Sequence, residues 1–288
     1  MTGPDRQPLK GLGVVVTGAG SGIGAATASL LASKGAALIL VDRDADRLRT
    51  RAAAIASTGG RVSTIRCDVS RADDVARLCA ESVERPGGIG AVIHCAGIVH
   101  PGALEATTPD WIARQVEVNL LGTIYVTRAF LPHFRARGGG HVIMLGSLGG
   151  IAPMPRETIY SATKFAVRGF GLALALELRG SPIRISVVCP DSVTTPQLRQ
   201  EAEEGGSPVA FTARLLTPER IAETIAGALA RPRREILVPR FRGSLIRLLN
   251  LVPDVYARAI PALERMGRRG RTRYLADMAR DAERPIPR

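Results

Sequence analysis

The chain has 288 residues, enough for one large α/β domain, and carries a formal net charge of +13 with only 4% aromatic residues. The positive excess is arginine-rich and local: Lys10, Lys34 and Lys164 are the lysines, and 15 Arg stand against 6 Asp and Glu in residues 231–288. Without interleaved aromatics or a recognisable reading element, that charge does not read as a nucleic-acid surface, and no run approaches the ~18 uninterrupted apolar residues of a membrane span.

Residues 1–11 lack the apolar stretch of a secretory signal. Gly13–Val16 is a short apolar run ending in glycines, followed by a helix-like Ala25–Ser33. Ala36–Val41 predicts a second strand and an Arg/Ala-rich helix follows to about Ala56. Arg61–Cys67 and Ala91–His94 read as the third and fourth strands, and Pro109–Arg128 as a long helix. His141–Leu145 is the fifth strand, Tyr160–Leu178 a helix, Arg184–Val188 the sixth strand and Glu235–Val238 a seventh. Continuous apolar strands alternating with helices imply a parallel sheet covered on both faces, a three-layer doubly wound α/β fold. Pro196–Leu216 is polar and Gly/Glu-rich, expected as a loop or mobile helical flap. Cys67, Cys79, Cys95 and Cys189 are scattered, with no CxxC pair and no His partner. They read as small apolar fillers in a reducing cytoplasm, not as disulfides or a metal site.

The first strand runs into Thr17-Gly18-Ala19-Gly20-Ser21-Gly22-Ile23-Gly24. Glycines are needed where backbone turns sharply beside a pyrophosphate, and the N–H groups opening the next helix then face the phosphates. Asp42 closes the second strand 18 residues past Gly24, where a carboxylate can accept hydrogen bonds from both hydroxyls of an adenosine ribose. It would repel a 2′-phosphate and so argues for NAD over NADP, while Arg43 beside it offsets the argument.

Tyr160 and Lys164 are four apart, one turn along a single helix face. Alone, such a pair is common by chance. Here the lysine is one of three in the chain, and Ser147 ends a strand, where sites of open α/β sheets gather.

With Asn119 in VEVNLLG, Ser147 in MLGSLGG and Tyr160-Ser161-Ala162-Thr163-Lys164, the chain resembles the TGxxxGxG/YxxxK branch of the short-chain dehydrogenases/reductases. The resemblance covers residues 8–240, a Rossmann-type dinucleotide-binding and catalytic domain, and includes the 13-residue step from Ser147 to Tyr160. It implies a nicotinamide-dependent oxidoreductase interconverting a secondary alcohol and a ketone, working as a homotetramer or homodimer through the Asn119 and Tyr160 helices. Tyr160 would be the general acid/base, Ser147 a donor to the substrate oxygen, Lys164 a holder of the nicotinamide ribose, and Asn119 the anchor of a proton-relaying water. A phenol titrates near 10. One positive charge about 4 Å away is worth roughly 4 kcal/mol at an effective dielectric of ~20, enough to bring it toward neutrality. Lys164 would supply one such charge and an oxidised nicotinamide another. The same resemblance puts Gly18, Ser21, Gly22, Ile23 and Gly24 on the pyrophosphate, and Asp42 and Arg43 at the ribose. Asp68 and Val69 would meet the adenine, Ala96 and Gly97 line the cofactor, and Pro190, Val193 and Thr195 meet the nicotinamide.

Two departures stand out. The family's NNAG is His94-Cys95-Ala96-Gly97 here, which makes His94 a satisfied structural histidine. The usual Pro-Gly is Pro190-Asp191, a turn cap or a carboxylate shaping the substrate site. A nucleotide-binding scaffold without catalysis is the competing reading, since fold does not fix function. An epimerase or dehydratase holding NAD tightly fits the glycine spacing less well.

Residues 241–288 form a basic, amphipathic helical extension, which Pro253 and Pro261 are expected to break into short helices. Its apolar face either packs over the substrate pocket or a subunit contact, or seeks anionic lipid as an interfacial helix. The second option would suit a lipophilic substrate and a cytoplasmic protein peripheral to the membrane.

Overall fold

The computed structural model describes residues 9–85 and 87–283, with side chains up to residue 280. The leading residues read above for a signal, and the last arginines of the basic tail, lie outside the described residues.

Seven parallel strands form one sheet in the order β3-β2-β1-β4-β5-β6-β7. They are β1 (Gly13–Thr17), β2 (Ala37–Asp42), β3 (Arg61–Arg66), β4 (Ala91–His94), β5 (Gly140–Leu145), β6 (Ile183–Pro190) and β7 (Glu235–Val238). The apolar runs are continuous because both faces are covered. Val14 and Val16 enter one core with Leu38 and Leu40, while Val15 enters the other with Ile39 and Val41. The first core is closed by α1 (Gly22–Ser33), α2 (Ala45–Ala56) and α8 (Pro218–Ala230). The second is closed by α3 (Ala72–Val83), α5 (Gly122–Ala136) and α6 (Thr158–Glu177), with Phe130 and Phe134 fully buried between sheet and helices. The result is a doubly wound Rossmann-type sheet whose strand order reverses between β1 and β4, so its binding crevice opens at the carboxyl ends of those strands.

The expected Pro109–Arg128 helix is three pieces: α4 (Pro109–Val116), a π turn over Glu117–Leu121, and α5. Such wide turns accompany functional sites, and this one carries Asn119. The Pro196–Leu216 stretch contains α7 (Pro196–Glu203) and a 3₁₀ turn at Pro208–Phe211.

The tail corrects one expectation. Pro253 does open a new helix after α9 (Arg240–Leu249), but Pro261 breaks nothing: α10 runs unbroken from Pro253 to Glu283. A proline costs an interior helix one hydrogen bond and some crowding, and tertiary packing compensates. Gly267 and Gly270 lie so close to the carbonyls of Pro208 and Phe211 that a Cβ on either would collide with them. Tyr274 packs on Phe211 at 5.5 Å between ring centroids. Upstream, Asn250 Nδ2 donates to Ile151 O at 2.7 Å and the Tyr256 hydroxyl to Pro153 O at 3.0 Å. The extension is therefore a roof fastened to the sheet domain. Among the described residues no helix is long and apolar enough to cross a membrane.

Candidate active site

A cavity of about 680 Å³ runs along the carboxyl ends of the strands. At one end stand Gly18, Ser21, Gly22, Ile23 and Gly24, followed along the wall by Asp42, Arg43, Asp68, Val69, Ala96 and Gly97. Gly18 adopts φ +65°, and a Cβ there would lie 2.8 Å from the Ala96 nitrogen, so the loop closes against β4 only without a side chain. Ser21 stands at the N-cap of α1 but makes no side-chain cap bond, which leaves the first N–H groups of that helix facing the cavity. An uncapped helix start behind a glycine turn suits a pyrophosphate. Asp42 accepts from Gly20 N at 3.0 Å and Asp44 N at 3.1 Å, which orients the carboxylate while leaving lone pairs for a ribose. Asp68 is held by the Ser70 hydroxyl at 2.6 Å and by Arg114 at 3.2 Å; although burial opposes them, these bonds keep its carboxyl below the usual range.

At the chemical end, Ser147, Tyr160 and Lys164 share the cavity wall with Pro190, Val193 and Thr195. Ser147 follows β5 and its Oγ accepts from Gly149 N at 2.9 Å, which leaves the hydroxyl proton free to donate. Tyr160 sits in the first turn of α6. Lys164, one turn on, donates from Nζ to Leu145 O at 2.9 Å and lies 5.6 Å from the Tyr160 ring centroid. Burial lowers the Lys164 ammonium to about 8.

Asn119 is buried behind this wall. Its Oδ1 accepts from Ile98 N at 2.8 Å, and its Nδ2 donates to Ile98 O at 2.9 Å and to Thr163 Oγ1 at 3.1 Å. Thr163 Oγ1 in turn donates to Tyr160 O at 2.7 Å. The side chain thus stitches the Gly97 loop to the Tyr160 helix. Both Nδ2 hydrogens are taken by protein, and a Cβ on Gly97 would be 3.4 Å from Asn119 Oδ1 and 3.5 Å from Lys164 Nζ.

Among the protein's own groups, burial raises the Tyr160 phenol above its usual range, and the Glu201 and Glu157 carboxylates raise it further; a Ser147 hydrogen bond pulls the other way.

Neither departure is a closed structural position: His94 Nε2 is buried without a partner, and Asp191 stands in the cavity wall. His94 Nδ1 lies 3.0 Å from Thr17 Oγ1, which also accepts from Ala96 N at 3.2 Å. Burial drives the imidazole down to about 3, which favours its neutral form. Asp191 accepts from Ser192 N at 3.0 Å and pairs with Arg242 of α9. The cysteine thiols among the described residues are free, and burial pushes Cys67, Cys95 and Cys189 up to about 12.

The sequence reading did not single out Glu157, Glu201 or Trp111, which also line the cavity, whereas Leu245, Ile246 and Leu249 belong to the apolar face of the tail expected over the pocket or a subunit contact. Trp111 stacks on His100 at 4.5 Å. Apolar periodicity in the tail was the only signal for the last three, and the acids carried none.

A family model for the short chain dehydrogenases matches residues 13–205. The chain belongs to that family. A Listeria innocua oxidoreductase, Lin0452, is 33% identical over 230 residues, covering 78% of this chain and 92% of the relative. A Burkholderia phymatum short-chain dehydrogenase/reductase solved with NAD superposes with a TM-score of 0.78 at 26% identity, covering 86% of this chain and 96% of that one. A variant actinorhodin polyketide ketoreductase solved with NADPH gives 0.73 at 30% identity, covering 81% and 97%. This short-chain dehydrogenase is an oxidoreductase with a nicotinamide-nucleotide site, and its relatives divide between the two nucleotides.

Proposed function

We propose that this short-chain dehydrogenase interconverts a secondary alcohol and a ketone on a lipophilic substrate, with Tyr160 as general acid/base and NAD preferred over NADP. The observation that carries the reading is the convergence of Ser147, Tyr160 and Lys164 on one wall of a cavity whose other end is the glycine turn and Asp42. A bound nicotinamide supplies or accepts the hydride. The Ser147 hydroxyl, its oxygen already engaged by Gly149 N, donates to the substrate oxygen. The Tyr160 phenol gives that oxygen a proton in reduction or takes one in oxidation. Lys164, fixed on Leu145 O, would hold the ribose and puts a cation near the Tyr160 ring. Asn119 positions the Gly97 loop and α6, and through them Lys164, rather than meeting substrate itself.

Lipophilicity rests on the lining: Leu148, Met154, Val209, Leu245, Ile246 and Leu249 face the cavity. The preference for NAD rests on Asp42, against Arg43 and Arg47 nearby. A scaffold without catalysis would have no use for an oriented serine donor beside an intact Tyr160–Lys164 pair. The outward side of α9 exposes Phe241 (83%) and Leu248 (64%) among arginines, which favours contact with anionic lipid close to the pocket roof. On α6, exposed Phe165 and Leu176 fit the homo-oligomer contact. The test is a screen of secondary alcohols, steroids and acyl ketones with NAD(H) and NADP(H) side by side. Turnover of apolar members, faster with NAD(H), is expected; no turnover of any member with either nucleotide would sink the assignment. Sedimentation with anionic vesicles that is unchanged by truncation after Pro239 would sink the lipid contact.

A further inference from the structure

Glu157 stands just before α6, one turn ahead of Tyr160, and Glu201 stands in α7; both line the cavity, with 1% and 7% of their surface exposed. Glu157 Oε1 accepts from Ser207 N at 2.9 Å, but its Oε2 is buried without a partner, as is the Ser207 hydroxyl. Glu201 Oε1 accepts only from the neutral Gln197 amide, at 3.1 Å. No described cation pairs with either carboxylate. Arg156 and Arg271 reach the adjoining loop, yet bind the carbonyls of Gly205 and Gly206.

An isolated buried carboxylate is expensive, and nearly all buried polar atoms find partners. Fixing the Ser207 loop would need one carboxylate oxygen. It would need neither a second acid nor a place in the cavity wall.

We propose that Glu157 and Glu201 form a subsite of the substrate pocket that receives a protonated aliphatic amine, so that the substrate carries an ammonium group remote from its carbinol carbon. The proposal rests on the alcohol/ketone reading for the pocket's chemical end. An ammonium brings three donors and a charge. It answers an unpartnered carboxylate oxygen and an acid with spare lone pairs, both in the cavity wall. Charge-assisted bonds of this kind are about twice as strong as neutral ones. Of two neighbouring buried carboxyls at least one keeps its proton; the arriving cation releases it. Tyr160 faces the pair from α6 and Tyr274 from α10, while Arg199 and Glu203 flank it on α7. The same cation offsets the carboxylate charges that raise the Tyr160 phenol.

The test titrates ω-amino-2-alkanols, and 2-alkanols in which a methyl replaces the ammonium, into the full chain by calorimetry with NADH present, in buffers of different ionisation enthalpy. The parent is expected to bind the amine at least about tenfold more tightly than its isostere and to release a proton as it does so. In Glu201→Gln and Glu157→Gln the ratio falls toward one, and because it is read within each variant a general loss of affinity cancels. An isostere that binds the parent as well as the amine, a preference that survives in both variants, or no proton release overturns the proposal. Amine preference without turnover of any alcohol would instead sink the alcohol/ketone reading and leave the subsite standing.

Discussion

Arg242 on α9 pairs with Asp191, the residue that follows β6, and donates a second bond to Thr212 Oγ1 at 2.7 Å. One guanidinium therefore ties the C-terminal roof to the segment beside the chemical end and to the flap. The carboxylate is 12% exposed and the arginine 29%, so the pair is shielded enough to matter. Arg242→Ala should cost about 2 kcal/mol, the worth of a hydrogen bond to a charged group. It should also raise KM for apolar substrates more than it lowers kcat. Denaturant melts and steady-state kinetics read both.

Gly267 tests whether the tail is structural. A Cβ there meets the Pro208 carbonyl, a backbone atom that cannot step aside. Gly267→Ala should destabilise by about 1–3 kcal/mol through overpacking and speed proteolysis within α10. A fully stable variant, with α10 no more easily cleaved, would mean the helix is not fastened at this point.

Much of this could be read from the sequence, for physical reasons. The strands were visible because a sheet covered on both faces demands unbroken apolar runs, as in Val14–Val16 and Leu38–Val41. Tyr160, Lys164 and Ser147 were visible because one helix turn and one strand end fix their places. The π turn at Asn119 was not, since a 3.6-residue period cannot announce one extra residue. The tail was read as helical, but the continuity of α10 through Pro261 was not, because a proline's local cost says nothing of the glycine contacts that offset it. Glu157 and Glu201 were missed because tertiary folding, not their spacing, brings them into one cavity wall.

The proposed preference for NAD rests on Asp42. Asp42→Ala should raise the NADP-to-NAD ratio of kcat/KM by about tenfold or more, since hydrogen bonds to a charged acceptor are worth about 1.5–3 kcal/mol. Comparing the two nucleotides in one variant cancels any loosening of the Gly20 and Asp44 backbone bonds. An unchanged ratio would remove Asp42 from the ribose site.

The acid pair has a stability signature. Burial raises both carboxyls above the ordinary glutamate value of 4.5, so the folded chain keeps protons that the unfolded chain releases. Their contribution is full below pH 4.5 and is lost as pH rises toward and through neutrality. Buried His94 and His141, lowered to about 3 and about 4, work in the opposite sense in mildly acidic solution. The difference between parent and Glu201→Gln isolates the acid. Between pH 5 and pH 8 the variant should gain on the parent by at least about 1 kcal/mol, less than one pKa unit's worth. Parallel urea midpoints across that range would contradict it.

The account turns on Tyr160 moving the proton, and the most direct measurement is nicotinamide absorbance during turnover by Tyr160→Phe, alongside cofactor binding by fluorescence. The phenylalanine keeps the ring against Lys164 and removes only the acid. The account predicts a kcat lower by about 10²–10⁴-fold, the usual worth of a general acid/base, with cofactor affinity within about threefold of the parent. A variant that turns over at the parent's rate would contradict it.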